Sequence, residues 1–230
     1  SGLIYLTIYP QGYQPQIKYP LIFLLHGYGA HMGDLMALCD VIDPNGYIYI
    51  APNGPIPVLG PHVPVGEWWA SSSTWPQNTI GFAWSEPGSD NQSQLLKSEH
   101  LLEDLFQEVT ALHNGSYGNC LLLGFSQGGS MTYKCGLKHP ELFTGVVCLS
   151  SGIQNIDDIK NILPPERTQP VFIAHGVHDN PTRGREAATF LSSEGYATTY
   201  KEYEMAHEIT GDVIKDLSPW IHSVLPPAKQ

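Results

Sequence analysis

One ten-residue stretch, CLLLGFSQGG from Cys120 to Gly129, constrains this chain more than any other. Four apolar residues have the length and character of a buried strand, and a helical pattern runs from Gly128 to Lys138. Between them lies Gly124-Phe-Ser126-Gln-Gly128, a single hydroxyl boxed by glycines. Such a pattern arises by chance often enough that context must decide its meaning. Here the context is strand, sharp turn and helix. That arrangement places Ser126 at a strained tip, where flanking glycines avoid collisions between a Cβ and the neighbouring elements. The turn projects Oγ at the carboxyl end of a sheet, and the following helix aims its positive N-terminus at the same spot. The competing reading is a glycine turn without chemistry.

The rest of the chain supplies the sheet. Strand-like runs recur at Leu3–Tyr9, Leu21–Leu25, Tyr47–Ile50, Val146–Leu149, Val171–Ala174 and Thr198–Tyr203. Helical patterns lie between most of them, at His31–Val41, Gln94–Leu112, Arg183–Ser193 and Ile209–Val224. The runs at 21–25, 120–123 and 171–174 are apolar throughout rather than alternating. Burial on both faces follows, hence an α/β fold with a mostly parallel central sheet covered by helices. No linker divides the 230 residues, so residues 1–230 are expected to form one domain.

Residues 51–92 break the rhythm, with seven Pro, five Gly and four of the five Trp and no convincing periodic element. A loop this long inside a compact domain is functional or disordered, and four Trp argue against disorder. The segment is expected to be a lid-like excursion or pocket wall; the alternative is a satellite core filled by these Trp.

A serine hydroxyl is a weak nucleophile near neutral pH, so Ser126 needs a base and a group to orient that base. Both should follow Ser126, acid first and then His, each just past the end of a later strand. Asp179 follows the 171–174 run and His207 follows the 198–203 run. His207 would take and return the serine proton, and Asp179 would fix the imidazole tautomer. Asp157, Asp158, Asp212 and Asp216 read as solvated carboxylates, and His175, His178 and His222 as packed or surface histidines. An oxyanion hole would draw one backbone N–H from Gln127 and the second from Tyr28, in the glycine-rich His26-Gly-Tyr-Gly29 loop. His26 itself reads as a structural hydrogen-bonder.

Charge and cysteine usage narrow the partners. The formal charge of -11, from 11 Lys and Arg against 22 Asp and Glu, disfavours nucleic acid and anionic membrane surfaces. Cys39, Cys120, Cys135 and Cys148 show no metal-ligand spacing and read as buried free thiols. No apolar run is long enough to span a membrane and no basic-hydrophobic leader opens the chain, so a cytoplasmic location is expected. Between Lys18 and Lys97 there is no Lys or Arg, which favours a neutral ester over a substrate gripped through an anionic group.

The segments LLHGYGA, GFSQGG, HGVHD and MAH, in this order and at these separations, resemble the phospholipase/carboxylesterase family of α/β-hydrolases from about Tyr19 to Leu225. That family includes acyl-protein thioesterases, lysophospholipase-like enzymes and small bacterial esterases. The resemblance implies the α/β-hydrolase fold, a Ser126, Asp179 and His207 triad, and oxyanion donors at Tyr28 and Gln127. Trp68 and Trp69 match part of a run that lines the acyl site in the family, and are expected to bind substrate. Ala30, Ala70 and Asn180-Pro181-Thr182 depart from the family pattern, so its acyl preference does not carry over. No metal or organic cofactor is needed, and the family's frequent dimers make a homodimer the oligomer to look for. The expected function is a serine carboxylesterase that hydrolyses short- to medium-chain neutral esters through an acyl-enzyme. Alternatives are an acyl-protein thioesterase or lysophospholipase-like hydrolase and, from another class, a non-catalytic protein that binds an apolar ligand.

Overall fold

A computed structural model of the chain describes residues 2–61, 67–70, 74–88, 91–113 and 118–229. The strands are β1 (Tyr5–Ile8), β2 (Leu21–Leu25), β3 (Ile48–Pro52), β4 (Ile56–Leu59), β5 (Thr79–Ala83), β6 (Cys120–Phe125), β7 (Phe143–Leu149), β8 (Val171–Gly176) and β9 (Thr198–Tyr203). The helices are α1 (Ala37–Ile42), α2 (Gln92–Leu112), α3 (Gln127–Lys138), α4 (Ile156–Ile162), α5 (Pro181–Ser193) and α6 (Gly211–Val224).

Seven strands form one sheet in the order β1-β3-β2-β6-β7-β8-β9. All neighbours are parallel except β1, which runs antiparallel to β3. The unbroken apolar runs are explained by two packed layers. Leu21, Phe23 and Leu25 of β2 enter one layer with Leu102, Phe106 and Val109 of α2, Met131 of α3 and Leu191 of α5. Ile22 and Leu24 enter the other, with Leu38 and Ile42 of α1 and Val213, Leu217 and Ile221 of α6. Each fully buried Leu, Ile or Phe contributes about 1.5–3 kcal/mol, so burial rather than strand propensity fixes β2 and β6 at the centre. Phe23, Phe106 and Phe143 meet edge to face at centroid separations of 4.9, 6.0 and 5.0 Å and lock α2 onto the sheet.

Residues 51–92 contain regular structure that their pattern hides. Ile56–Leu59 and Thr79–Ala83 pair as an antiparallel two-stranded ribbon, and Trp68–Ala70 form a short 3-10 turn. Each strand is short, and Pro57 sits in the first of them, which is compatible only with an edge position. Residues 62–66, 71–73, 89 and 90 of this excursion lie outside the described residues. The ribbon docks on the loop after β2: Gly29 N–H donates to Phe82 O at 2.8 Å and Phe82 N–H donates to Ala30 O at 2.7 Å. The ribbon is therefore a brace, and Ser85, Glu86, Pro87 and Gly88 of the same excursion wall the cavity at Ser126. Two further departures are α4, which the sequence pattern does not flag, and the His31–Val41 pattern, where turns occupy 32–36 and the helix begins at Ala37.

Candidate active site

The turn between β6 and α3 has the geometry its glycines imply. Ser126 takes φ 56° and ψ -120°, a conformation that side-chain-bearing residues rarely adopt. The backbone packing around it leaves no room for larger neighbours. A Cβ at Gly124 would lie 2.2 Å from Gly128 O, and one at Gly128 would lie 2.0 Å from Leu25 O. Ser126 N–H donates to Leu149 O at 2.9 Å, tying the tip to β7.

The loops after β8 and β9 bring the two expected partners to this serine. His207 Nε2 lies 2.9 Å from Ser126 Oγ, and its Nδ1 lies 2.8 Å from Asp179 Oδ2. The two loops are joined by backbone bonds, Val177 N–H to Tyr203 O and His178 N–H to Met205 O. Burial pushes the Asp179 carboxyl up, but the hydrogen bond with His207 and the nearby His207 and His175 rings outweigh it and hold the group below its ordinary value. The arrangement can move a proton from Oγ to Nε2 while the carboxylate stabilises the imidazolium.

The loop after β2 lies against the nucleophile, since a Cβ at Gly27 would sit 3.2 Å from Ser126 Cβ. Its conformation is heavily specified. Trp84 Nε1–H donates to His26 O at 2.9 Å, Gly54 N–H to His26 Nε2 at 2.9 Å, and Met32 N–H to Asn53 Oδ1 at 2.7 Å. Because Nε2 accepts, Nδ1 carries the proton and donates to Gly27 O at 2.7 Å. Burial pushes His26 down to about 4, so it is neutral at pH 7 and structural, as its sequence position suggests. The N–H groups of Gly29 and Ala30 are used within this brace, whereas that of Tyr28 has no partner among the described residues. Gln127 occupies the first turn of α3, where a helix leaves its N–H groups unpaired.

A sequence model of the phospholipase/carboxylesterase family matches residues 14–225. The chain belongs to the phospholipase/carboxylesterase family. Among curated relatives, acyl-protein thioesterase 1 of Emericella nidulans is 30% identical over 149 residues, covering 60% of this chain and 61% of that one. Acyl-protein thioesterase 1 of Mycosarcoma maydis is 27% identical over 228 residues, covering 89% and 91%. The chain spans about half the length of the first curated relatives that it matches. Among solved structures, esterase PE8 superimposes with a TM-score of 0.75 at 22% identity, covering 98% of this chain and 100% of that one.

Within this phospholipase/carboxylesterase fold four of the rival acids and histidines have partners of their own, while Asp157 and Asp158 sit in the first turn of α4. Asp212 pairs with Lys215, Asp216 with Lys201 and the Tyr203 hydroxyl, His178 with Glu204, and His222 lies 3.5 Å from Asp43. His175 is packed, 1% exposed, and its Nε2 lies 3.1 Å from the same Asp179 oxygen that meets His207.

Trp68 and Trp69 are the expectation that needs correction. A cavity of about 430 Å³ opens at Ser126, and Tyr28, Ser85, Gln127, Ser130 and Arg183 are among its lining, but neither Trp is. Trp69 is 5% exposed and stacks on His31 with centroids 4.2 Å apart, and Trp68 meets the same His31 edge-on. The 3-10 turn that carries them packs on the loop after β2 instead of reaching across Ser126. Trp84, fully buried, also belongs to the core. The satellite-core alternative therefore describes Trp69 and Trp84 better than a substrate wall.

Two functional contributions escape the sequence pattern. The Gln127 side chain accepts from Trp84 N–H at 2.8 Å and donates to Ser85 O at 2.8 Å, so the residue that follows Ser126 also pins the cavity wall. Arg183 enters the cavity from α5, outside the cation-free interval that ends at Lys97. The folded site therefore includes a cation although residues 19–96 carry none. Among the described residues no cluster of three or more His, Cys, Asp or Glu could hold a metal ion, and no helix is long and apolar enough to cross a membrane.

Proposed function

We propose that the protein is a serine esterase that hydrolyses short- to medium-chain carboxylic esters through an acyl-enzyme. Ser126 attacks the carbonyl, and His207 accepts its proton and returns it to the leaving alkoxide. Asp179 holds the imidazole, while the Tyr28 and Gln127 N–H groups receive the oxyanion. The observation that carries this reading is the continuous Ser126 Oγ, His207 Nε2 and Nδ1, Asp179 Oδ2 chain at 2.9 and 2.8 Å, built on a serine in a strained turn. Water then takes the alcohol's place, and the same proton transfers run in reverse to release the acid.

An acyl group has apolar space beside the nucleophile. A second cavity of about 270 Å³ adjoins the first and shares Asn91, Gln127, Ser130 and Gln154 with it; Leu95, Met131, Ile153 and Ile159 supply its apolar lining, and Lys134 and Asp158 also line it. The names of the fungal relatives favour a thioesterase acting on acylated proteins as the second reading. Four buried free thiols fit a reducing compartment and support a cytoplasmic location. The test is hydrolysis of p-nitrophenyl esters from acetyl to palmitoyl beside a palmitoyl-thioester peptide, with Ser126→Ala as control. Short-ester turnover abolished in the control is the expected result. Preference for the long thioester selects the second reading, and turnover that survives in the control removes both.

A further inference from the structure

The cavity at Ser126 is lined by a cation, Arg183, that pairs with no carboxylate among the described residues. Of the three arginines, Arg167 pairs with Glu194 and Arg185 with Glu202, whereas Arg183 has no carboxylate partner among the described residues. Its side chain lies across the chain just past β7. A Cβ at Gly152 would come 2.8 Å from Arg183 Cβ and 3.2 Å from its Nε, so a glycine there is what lets the arginine approach. Glu86 also lines the cavity, but its carboxylate already accepts from Gln94 Nε2 at 2.9 Å.

A second, independent feature lies on the same wall. Ser150 lines the cavity and is 4% exposed, yet its Oγ has no hydrogen-bond partner among the described residues. A buried hydroxyl in this condition costs free energy unless something else bonds it. Ser150 also holds φ 48°, the only non-glycine besides Ser126 in the left-handed region among the described residues. Strain of this kind persists where surrounding structure enforces it, and it clusters at ligand sites.

We propose that this cavity takes an ester that itself carries a carboxylate, with Arg183 gripping the carboxylate through parallel N–H donors and Ser150 Oγ adding a further hydrogen bond. A guanidinium fork matches a carboxylate in geometry as well as charge, and the unclaimed hydroxyl supplies a donor that a purely apolar substrate would leave unused. The inference rests on the esterase reading above and replaces a preference for neutral esters with one for anionic esters.

The experiment compares kcat/KM within two matched pairs, after subtraction of the rate measured with Ser126→Ala protein. The mono-p-nitrophenyl ester of adipate against p-nitrophenyl hexanoate places the carboxylate on the acyl side. 4-Butyryloxybenzoate against phenyl butyrate places it on the leaving side. In one pair the wild type should favour the carboxylate by about 10-fold or more, Arg183→Gln should cut that ratio by about 10- to 100-fold, and Arg183→Lys should keep part of it. A ratio of two substrates on one preparation does not depend on the fraction folded. Equal or better use of the neutral member in both pairs, or a ratio unmoved by Arg183→Gln, overturns the inference and leaves the esterase reading standing. Absence of Ser126-dependent turnover on all four substrates overturns both.

Discussion

The loop after β2 and the loops after β8 and β9 meet at the carboxyl end of one sheet, yet they are held in opposite ways. His26 is 1% exposed with both ring nitrogens engaged, and its loop is clamped by Trp84, Phe82 and Asn53. His207 has a half-exposed side chain, held by Asp179 on one nitrogen and Ser126 on the other. The contrast fits the two tasks proposed for these loops. An oxyanion donor helps only if its dipole is fixed before charge develops, because reorganising it later would consume the gain. A base must pass a proton between serine, leaving group and incoming water, so it must remain accessible.

The largest effects should come from the open side. Ser126→Ala is expected to lower kcat by about 10⁴ to 10⁶, measured on a short p-nitrophenyl ester. Ser126→Gly should be equally inactive but more stable by about 1 kcal/mol in urea denaturation, because glycine takes φ 56° without strain. A glycine variant no more stable than the wild type would mean that the turn is not strained. Asp179→Asn should lower kcat by about 10⁴ and the urea midpoint only slightly, since a neutral amide, which can donate as well as accept, no longer fixes the imidazole tautomer or stabilises the imidazolium.

The sealed side should respond to acid instead. His26 titrates near 6.5 when unfolded and at about 4 in the fold, where burial disfavours the charged form. Between those values the unfolded chain binds more protons than the native one, so stability is complete above pH 6.5 and falls as pH drops towards 4. The loss amounts to about 3 kcal/mol. His175, also lowered by burial, acts in the same direction. Urea denaturation at pH 7 and pH 4.5 should therefore show a large drop in the wild type and a smaller one in His26→Gln. An identical drop in both would move the effect away from His26.

These two regions were not equally legible in the sequence. Ser126, Asp179 and His207 could be placed because each follows a strand that announces itself by unbroken apolar character, and the parallel sheet brings successive strand ends together. The clamps could not. Trp84 reaches His26 and Gln127 reaches Ser85 across 58 and 42 residues, through side chains whose partners have no fixed spacing. The β4–β5 ribbon was hidden because its strands are four and five residues long and Pro57 interrupts the usual strand signal. Arg183 was hidden for a related reason. A charge count along 19–96 surveys the chain, whereas a cavity collects residues from α5 as readily as from its neighbours in sequence.

Gln127 joins the two regions and gives the smallest but most informative effect. Replacing it with Ala keeps the backbone N–H proposed to receive the oxyanion, so under that proposal the chemistry retains its donors. What disappears is the bond from Trp84 N–H and the pair of bonds to Ser85 O and Oγ, at 2.8, 2.8 and 3.1 Å. An unpaired buried N–H at Trp84 should cost about 1–3 kcal/mol, seen as a lower urea midpoint. Trp84 is also the residue that bonds His26 O, so slack there passes to the loop that carries the Tyr28 N–H. Kinetically, kcat should fall about 10-fold with a smaller change in KM, the mark of an interaction that matters more in the transition state than in the bound ester. A variant that loses stability yet keeps wild-type kcat would show that the bonds to Phe82 and Asn53 hold the loop without help, and that its rigidity is redundant rather than finely poised.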